Sequence, residues 1–456
     1  MANSFNFYKL DGSDQIVGCG DSGIRIDSCF FKDHNHNVTF IHNQEKNYHH
    51  QKKKEKILHY YHHRKIIVYR SYQDNDDGYG HGTHVAASII GDPLTNDKKI
   101  IQFQGMAPKA RLVFSDLGKG NDDSLTLGDI SLYDYFQFHY DMGARINSDS
   151  WGWPDVNSEY GSNSAEMDRF VWDHPDFLAV FACGNGDGIA EPAVAKNILT
   201  VGVSKNNINE IFVVSDFSSR GPTADGRVKP EIIAPGDPVY SADYKTECGI
   251  KAMSGTSMAT PIVAGNMALL RQFYQKYYSI KSPSAALLKG TAILATIQNN
   301  KILKHPESYG YGLFKPFNIL SFHNKGNLFI FDNINFKKTN QIHFYTCILN
   351  DIGIKKQKNK LKIILTWTDL PGHVLSKYAL INDLDLIYNA DNNQIKRIYK
   401  YTKKNGKKNN IEIILDSFEK INKKNISFFI KANKIHTKNQ KYSLLLTGSF
   451  LICQKK

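Results

Sequence analysis

Hydrophobic and polar positions alternate in two different ways along this 456-residue chain. Between about residues 15 and 240, short apolar runs end in Gly or Asp and are separated by helix-length stretches. The runs are "QIVGCG" (15–20), "ARLVFSDL" (110–117), "ARINSDSWG" (144–152), "DFLAVFACG" (176–184), "ILTVGVS" (198–204) and "EIIAPG" (231–236). Strands of this kind with intervening helices predict an α/β unit with a largely parallel sheet, whose functional residues belong at the carboxyl ends of the strands. Helical spacing is clearest over 82–91 and 257–278. In the second segment Pro261 falls in the first turn, where a missing N–H costs nothing, and Ala259, Ala264, Gly265 and Ala268 suit a closely packed, buried helix.

After "YGYGLFKPFNIL" (309–320) the pattern changes. Apolar and polar residues alternate in "NLFIFDNI", "KLKIILTWTD", "DLDLIYNA", "NIEIILDS", "NISFFIKA" and "KYSLLLTGSF", with turns rich in Asn, Lys and Gly between them. Such short strands without a helical period predict a β-sandwich or barrel. The expected division is an α/β unit over 1–325 and an all-β unit over 326–456. No internal repeat is evident.

Composition narrows this picture only slightly. Hydrophobic residues make up 41% and charged residues 22%, as in an ordinary globular protein. No apolar run is long enough to span a bilayer, and the N-terminus lacks the pattern of a signal peptide. The chain is therefore expected to be intracellular, or a processed or incomplete piece of a longer one. The net charge of +13 raises the question of nucleic acid, but lysine is spread with asparagine through loops such as "KKNGKKNN" and no nucleic-acid motif accompanies it. No nucleic-acid partner is expected. Six cysteines form no CxxC pair, so neither a zinc site nor a disulfide framework is expected from their spacing. His49, His50, His59, His62 and His63 match no standard ligand spacing and read as part of a solvated basic loop.

Four segments have the composition of sites. "VGCGDSG" puts Asp21 after an apolar strand. "GYGHGTHVA" puts His81 at the mouth of a helix, "SGTSMATP" does the same for Ser257, and "FACGNG" puts Asn185 after another strand. Singly, each reads as a turn or a cap. Jointly, they supply what acyl transfer requires. A serine hydroxyl needs a base, an imidazole near neutral pH is that base, a carboxylate orients it, and amide donors stabilise the oxyanion.

These motifs, in the order Asp…His…Ser, resemble those of the subtilisin-like serine proteases, the subtilases, over about residues 8–320. "GDSG" is similar to the family's Asp motif, "GHGTHVA" matches its His motif, and "GTSMATPIVAG" its Ser motif. The resemblance implies a doubly wound, mostly parallel α/β sheet with helices on both faces, followed by an all-β, jelly-roll-like sandwich. It implies a serine endopeptidase acting on polypeptides through an acyl-enzyme, with Asp21, His81 and Ser257 as triad and Asn185 as oxyanion donor. No cofactor is implied for the chemistry. Ser150, Trp151 and Gly152, with Ala182 and Gly184 opposite, would line the substrate cleft. Glu231 stands where Asp is more usual, which reads as a tolerated structural change.

"LKIILTWTDLPGH" and "LINDLDLIY" resemble the β-domain of subtilases that carry a C-terminal sandwich, including proteases fused to ABC transporters. In some relatives this domain binds calcium, for which Asp369, Asp383 and Asp385 are candidates; the alternative is that they cap strands and turns. A second functional reading stays open: a non-catalytic binding module of the same fold, or a truncated piece of a transporter-linked protease. The family implies an upstream pro-segment and a secretory or extracellular location.

Overall fold

The computed structural model describes Phe5 and residues 8–42, 62–122, 124–207, 209–297, 304–349, 360–374, 376–391, 394–396, 409–417, 425–448 and 450–456. His49, His50 and His59 lie outside these residues. His63 is buried, and its Nδ1 accepts the backbone N–H groups of Lys65 and Ile66.

Eight parallel strands form the central sheet. They are β1 (Ile16–Asp21), β2 (Phe40–His42), β3 (Ile66–Ser71), β4 (Arg111–Asp116), β5 (Ile146–Asp149), β6 (Leu178–Ala182), β7 (Leu199–Lys205) and β8 (Ile232–Asp237), in the spatial order β2-β3-β4-β1-β5-β6-β7-β8. The chain begins at the centre, winds out to one edge and back, then proceeds to the other. β1 is therefore flanked by β4 and β5, the point where the winding reverses and where open α/β sheets place their sites.

Two helices pack against each other on one face: α1 (His81–Ile90) and the long α4 (Thr256–Tyr277), which crosses β5 to β8 and carries Pro261 inside the helix, at its sixth residue, rather than in the first turn as expected. The other face carries α2 (Leu132–Asp141) and α3 (Ser162–Asp173). There Asn147 and Asp149 of β5 meet His139 and Tyr135 of α2. The hairpin β9 (Val239–Ala242) and β10 (Ile250–Met253) leads directly into α4.

Beyond these lie two antiparallel sheets. Strands β11 (Leu328–Phe336), β13 (Lys360–Thr366), β16 (Ile411–Ser417) and β18 (Gln440–Thr447) form one, in the order β11-β18-β13-β16. Strands β12 (Ile342–Leu349), β14 (Asp383–Asp391), β15 (Gln394–Lys396), β17 (Asn425–Lys434) and β19 (Phe450–Lys455) form the other, in the order β15-β14-β17-β12-β19. Between them Phe336, Tyr345, Ile363, Trp367, Leu386 and Phe428 make a second core. The doubly wound sheet and the sandwich expected from sequence are both present.

The continuous apolar run in β13 has a physical reason. Ile363 and Leu365 point into the sandwich, whereas Ile364 joins the core of the α/β unit beneath α5 (Ala285–Leu294). Gly290 lets α5 lie close to the sheet, because a Cβ there would sit 2.6 Å from Leu445 Cδ1. The residues read as one strand over 441–450 belong to two. β18 ends at Thr447, and after Gly448 the chain turns into β19 of the opposite sheet.

The cysteine reading is corrected. Cys29 pairs with Cys248, and Cys347 with Cys453, across sequence separations of 219 and 106. Pairs so distant leave no spacing pattern; only the fold brings them together. Cys347 and Cys453 face each other on neighbouring antiparallel strands. Cys19 and Cys183 remain free and buried.

Candidate active site

Asp21 ends β1, paired in register with Asp116 of β4, and Asp149 of β5 lies opposite its neighbour Gly20. It is fully buried. One carboxylate oxygen, Oδ1, accepts the Ser22 N–H at 2.8 Å and lies 2.6 Å from His81 Nδ1. His81 opens α1, with its side chain 17% exposed. Burial disfavours the protonated ring, but the Asp21 carboxylate and, beyond it, Asp77 outweigh that cost, so the His81 pKa lies above the ordinary histidine value. Gly82 is required beside it: a Cβ there would overlap the Gly23 carbonyl.

"GHGTH" contains two histidines, and the structure separates their roles. His84 is fully buried and its Nε2 lies 3.2 Å from the carbonyls of Val239 and Lys251, which ties α1 to the β9–β10 hairpin. Burial pushes its pKa down to about 4, so it stays neutral. Of the two, His81 is the one that combines a carboxylate partner with access to solvent.

Ser257 lies in the first turn of α4, which the chain enters through an extended Gly255, and is 8% exposed. Its hydroxyl donates to the Ser150 carbonyl at 3.2 Å, and the Ser150 hydroxyl donates back to the Ser257 carbonyl at 3.0 Å. Ser257 is not hydrogen-bonded to His81 here; nucleophile–base contacts are commonly loose without substrate. The helix start adds oriented N–H groups and the positive end of a dipole. Asn185 is exposed, and its Oδ1 accepts both the N–H and the hydroxyl of Thr256 at 2.9 Å. With the carbonyl end committed, the Nδ2 end is the one left to donate to a ligand.

Ser150, Trp151 and Gly152 follow β5 at the same edge, where Ala182 ends β6 and Gly184 lies two residues beyond it. Cβ atoms built at Gly152 and Gly184 would lie 3.2 and 3.4 Å from Ala190 Cβ, so the two segments flank one short stretch of chain. Trp151 packs edge-on against Tyr135, Trp153 and Phe181 at ring separations of 5.9, 5.6 and 5.6 Å. Burial pushes the Cys183 thiol up to about 12, which makes it an inert filler.

The three candidate calcium ligands are not gathered. Asp369 is fully buried; its carboxylate pairs with Lys196 at 3.2 Å and accepts the N–H groups of Ile381 and Asn382. Asp383 accepts from Asn433, and Asp385 lies in register with Lys431. Among the described residues no group of His, Cys, Asp or Glu is arranged to hold a metal ion. The capping alternative describes Asp369, whose oxygens are already taken by an ammonium and two backbone donors. Glu231 is likewise buried between Lys229 at 2.9 Å and Lys289 at 2.7 Å, a structural role.

Asp149 and Ser22 were not picked out by sequence. Asp149 is buried, accepts Tyr135 Oη at 2.7 Å and Asn147 Nδ2 at 2.7 Å, and is pushed up to about 7 by burial. Nothing in "SDSWG" reveals that it lies beside Asp21; that follows from the pairing of β5 with β1.

The family described as the subtilase family matches residues 12–312. The serine protease/ABC transporter B family protein tagA of Dictyostelium discoideum is 26% identical over 96% of this chain and 30% of its own length. The serine protease AprX of Bacillus subtilis is 31% identical over 44% of this chain and 49% of its own. The chain thus spans about a third of tagA and about half of AprX. Among solved structures, a mutant of the protease domain of PatA is similar in fold, with a TM-score of 0.50 at 21% identity, covering 70% of this chain and 98% of that one. The prenylagaramide maturation protease PagA is similar to the same degree, with a TM-score of 0.50 at 20% identity over 70% of this chain and 98% of that one.

Proposed function

The chain belongs to the subtilase family of serine endopeptidases, and within it we propose that Ser257, His81, Asp21 and Asn185 cleave polypeptides through an acyl-enzyme. The observation that carries this reading is the 2.6 Å contact between buried Asp21 and partly exposed His81, at the same sheet edge as the helix start bearing Ser257. His81 Nε2 takes the Ser257 proton as Oγ attacks the scissile carbonyl carbon. Asp21 holds Nδ1–H and so fixes the tautomer and stabilises the imidazolium. The oxyanion is held by Asn185 Nδ2 and the Ser257 N–H. His81 then gives its proton to the leaving amine as the C–N bond breaks. Water, deprotonated by His81, releases the acid and restores Ser257. The substrate strand lies between residues 150–152 and 182–184.

The test is hydrolysis of an unfolded protein by the purified chain, with the products mapped by mass spectrometry. Cleavage by the parent and none by Ser257→Ala supports the reading. Equal cleavage by both variants overturns it, as does a folded parent that cleaves nothing.

A further inference from the structure

Asp77 lies in the loop between β3 and α1 and is 1% exposed. Both of its carboxylate oxygens are engaged. Oδ1 accepts the Ser22 hydroxyl at 2.8 Å and the Gly80 N–H at 2.8 Å. Oδ2 accepts the Thr83 N–H at 2.7 Å and the Thr83 hydroxyl. Ser22, the residue after Asp21, in turn accepts the Gly82 N–H at 2.9 Å. The first N–H groups of a helix have no partner within it. At α1 the residue in the capping position is Gly80, in the left-handed region at φ 84°, and it has no side chain to offer. Asp77 and Ser22 supply that cap from outside the helix. The same carboxylate therefore grips the helix that bears His81 and the turn that bears Asp21.

We propose that Asp77 is a positioning residue for the Asp21–His81 pair, a carboxylate clamp that locks the turn after β1 to the start of α1 and so fixes the imidazole against Asp21. This rests on reading His81 as the general base. A clamp between two elements matters to catalysis because a displacement of about 1 Å at reacting groups can cost roughly 100-fold in rate.

The clamp also contributes charge. The groups that face His81 are Asp21 from β1, Asp77 from the loop, the neutral His84 one turn along α1, and the Tyr79 ring at 6.3 Å. Those around Asp77 are the exposed Asp76, the Tyr69 phenol and Asp116. Burial raises the Tyr69 pKa and pushes that of Asp116 up to about 8, so at neutral pH the phenol is neutral and the Asp116 carboxyl mostly protonated. The Asp77 negative charge helps to raise the His81 pKa. Asp77→Asn keeps the shape, removes the charge, and turns an amide donor toward groups that are already donors.

The experiment measures kcat and KM across pH for the parent, Asp77→Asn and Ser22→Ala. In parallel, the His81 imidazole is titrated by NMR in a Ser257→Ala background, with and without Asp77→Asn. The clamp predicts a kcat loss of roughly 10- to 100-fold in Asp77→Asn, with KM changed less than about twofold. It also predicts a His81 pKa, and an acid limb of kcat/KM, shifted downward. Ser22→Ala, which keeps the charge and the cap bonds made by Asp77 but loses the one to the Gly82 N–H, loses a smaller factor in kcat without moving the acid limb. A folded Asp77→Asn with the parent's kcat and His81 titration overturns the proposal. If Asp77→Asn does not fold, a folded Ser22→Ala with unchanged kcat overturns it equally. An inactive parent contradicts the protease reading instead, and the titration alone then decides the clamp, because it needs no turnover.

Discussion

Two buried clusters of charge bracket this molecule, one around His81 and one around Lys196. Lys196 lies just before β7, fully buried, with its ammonium 3.3 Å from Asp168 and 3.2 Å from Asp369 and donating to the carbonyls of Leu370 and Ala379. Its neighbour Asn197 donates to the Asp369 carbonyl. These contacts sew the loop between β13 and β14 onto the α/β unit. At the His81 cluster, Asp21 is as fully buried as Asp369, but the partner it holds is a titratable ring that still reaches solvent. A sealed pair has nowhere to send a proton, so it holds structure. The half-open pair can exchange its proton with solvent and is suited to chemistry.

The comparison can be broken most severely at its two centres. His81→Ala should reduce hydrolysis to background while lowering the denaturant midpoint less than Lys196→Met does, since the ring is partly exposed and Asp21 keeps the Ser22 N–H. Lys196→Met should do the reverse. It strands two buried carboxylates, which should cost about 3–5 kcal/mol of stability, read by urea unfolding, while residual folded protein keeps the parent's turnover. If Lys196→Met abolished turnover in fully folded protein, the separation of roles would collapse.

A smaller effect is expected at the flank of the His81 cluster. Cys29–Cys248 joins the turn after Asp21 to the hairpin that leads into Ser257, and it is reinforced by hydrogen bonds from Cys29 N–H and the Ser28 hydroxyl to the Glu247 carbonyl. Replacing both cysteines by serine should cost roughly 2–4 kcal/mol, seen as a lower melting temperature under non-reducing conditions, with a lesser loss of kcat.

pH sharpens the contrast further. His81 must be neutral to accept a proton, and its pKa is raised above the ordinary value of 6.5. Activity should therefore climb as pH rises through that raised value, so the acid limb of kcat/KM should lie above 6.5. The smallest effect belongs to Cys183. With its thiol buried and pushed up to about 12, Cys183→Ala and thiol-alkylating reagents should both leave activity unchanged.

The half-open cluster was far more legible in the sequence than the sealed one. Asp21, His81 and Ser257 each sit in a contiguous motif, because a strand end or helix mouth is a local event written in neighbouring residues. Lys196 and Asp369 are partners only in space, and so are the cysteines. The small-residue pattern of α4 revealed its burial, whereas α5, buried all round, showed no clear helical face. Asp369, Asp383 and Asp385 are candidate oxygen ligands along the chain, without making a complete ligand set. The fold turns Asp369 toward Lys196 instead, a choice made by a lysine more than a hundred residues away.

The most direct measurement is covalent labelling by a fluorophosphonate, with the modified residue located by peptide mass mapping. The account predicts a single adduct on Ser257 in the parent and none in a folded His81→Ala variant, because the hydroxyl is reactive only when the imidazole takes its proton. Equal labelling of Ser257 in both proteins, or a folded parent that stays unlabelled, would contradict it.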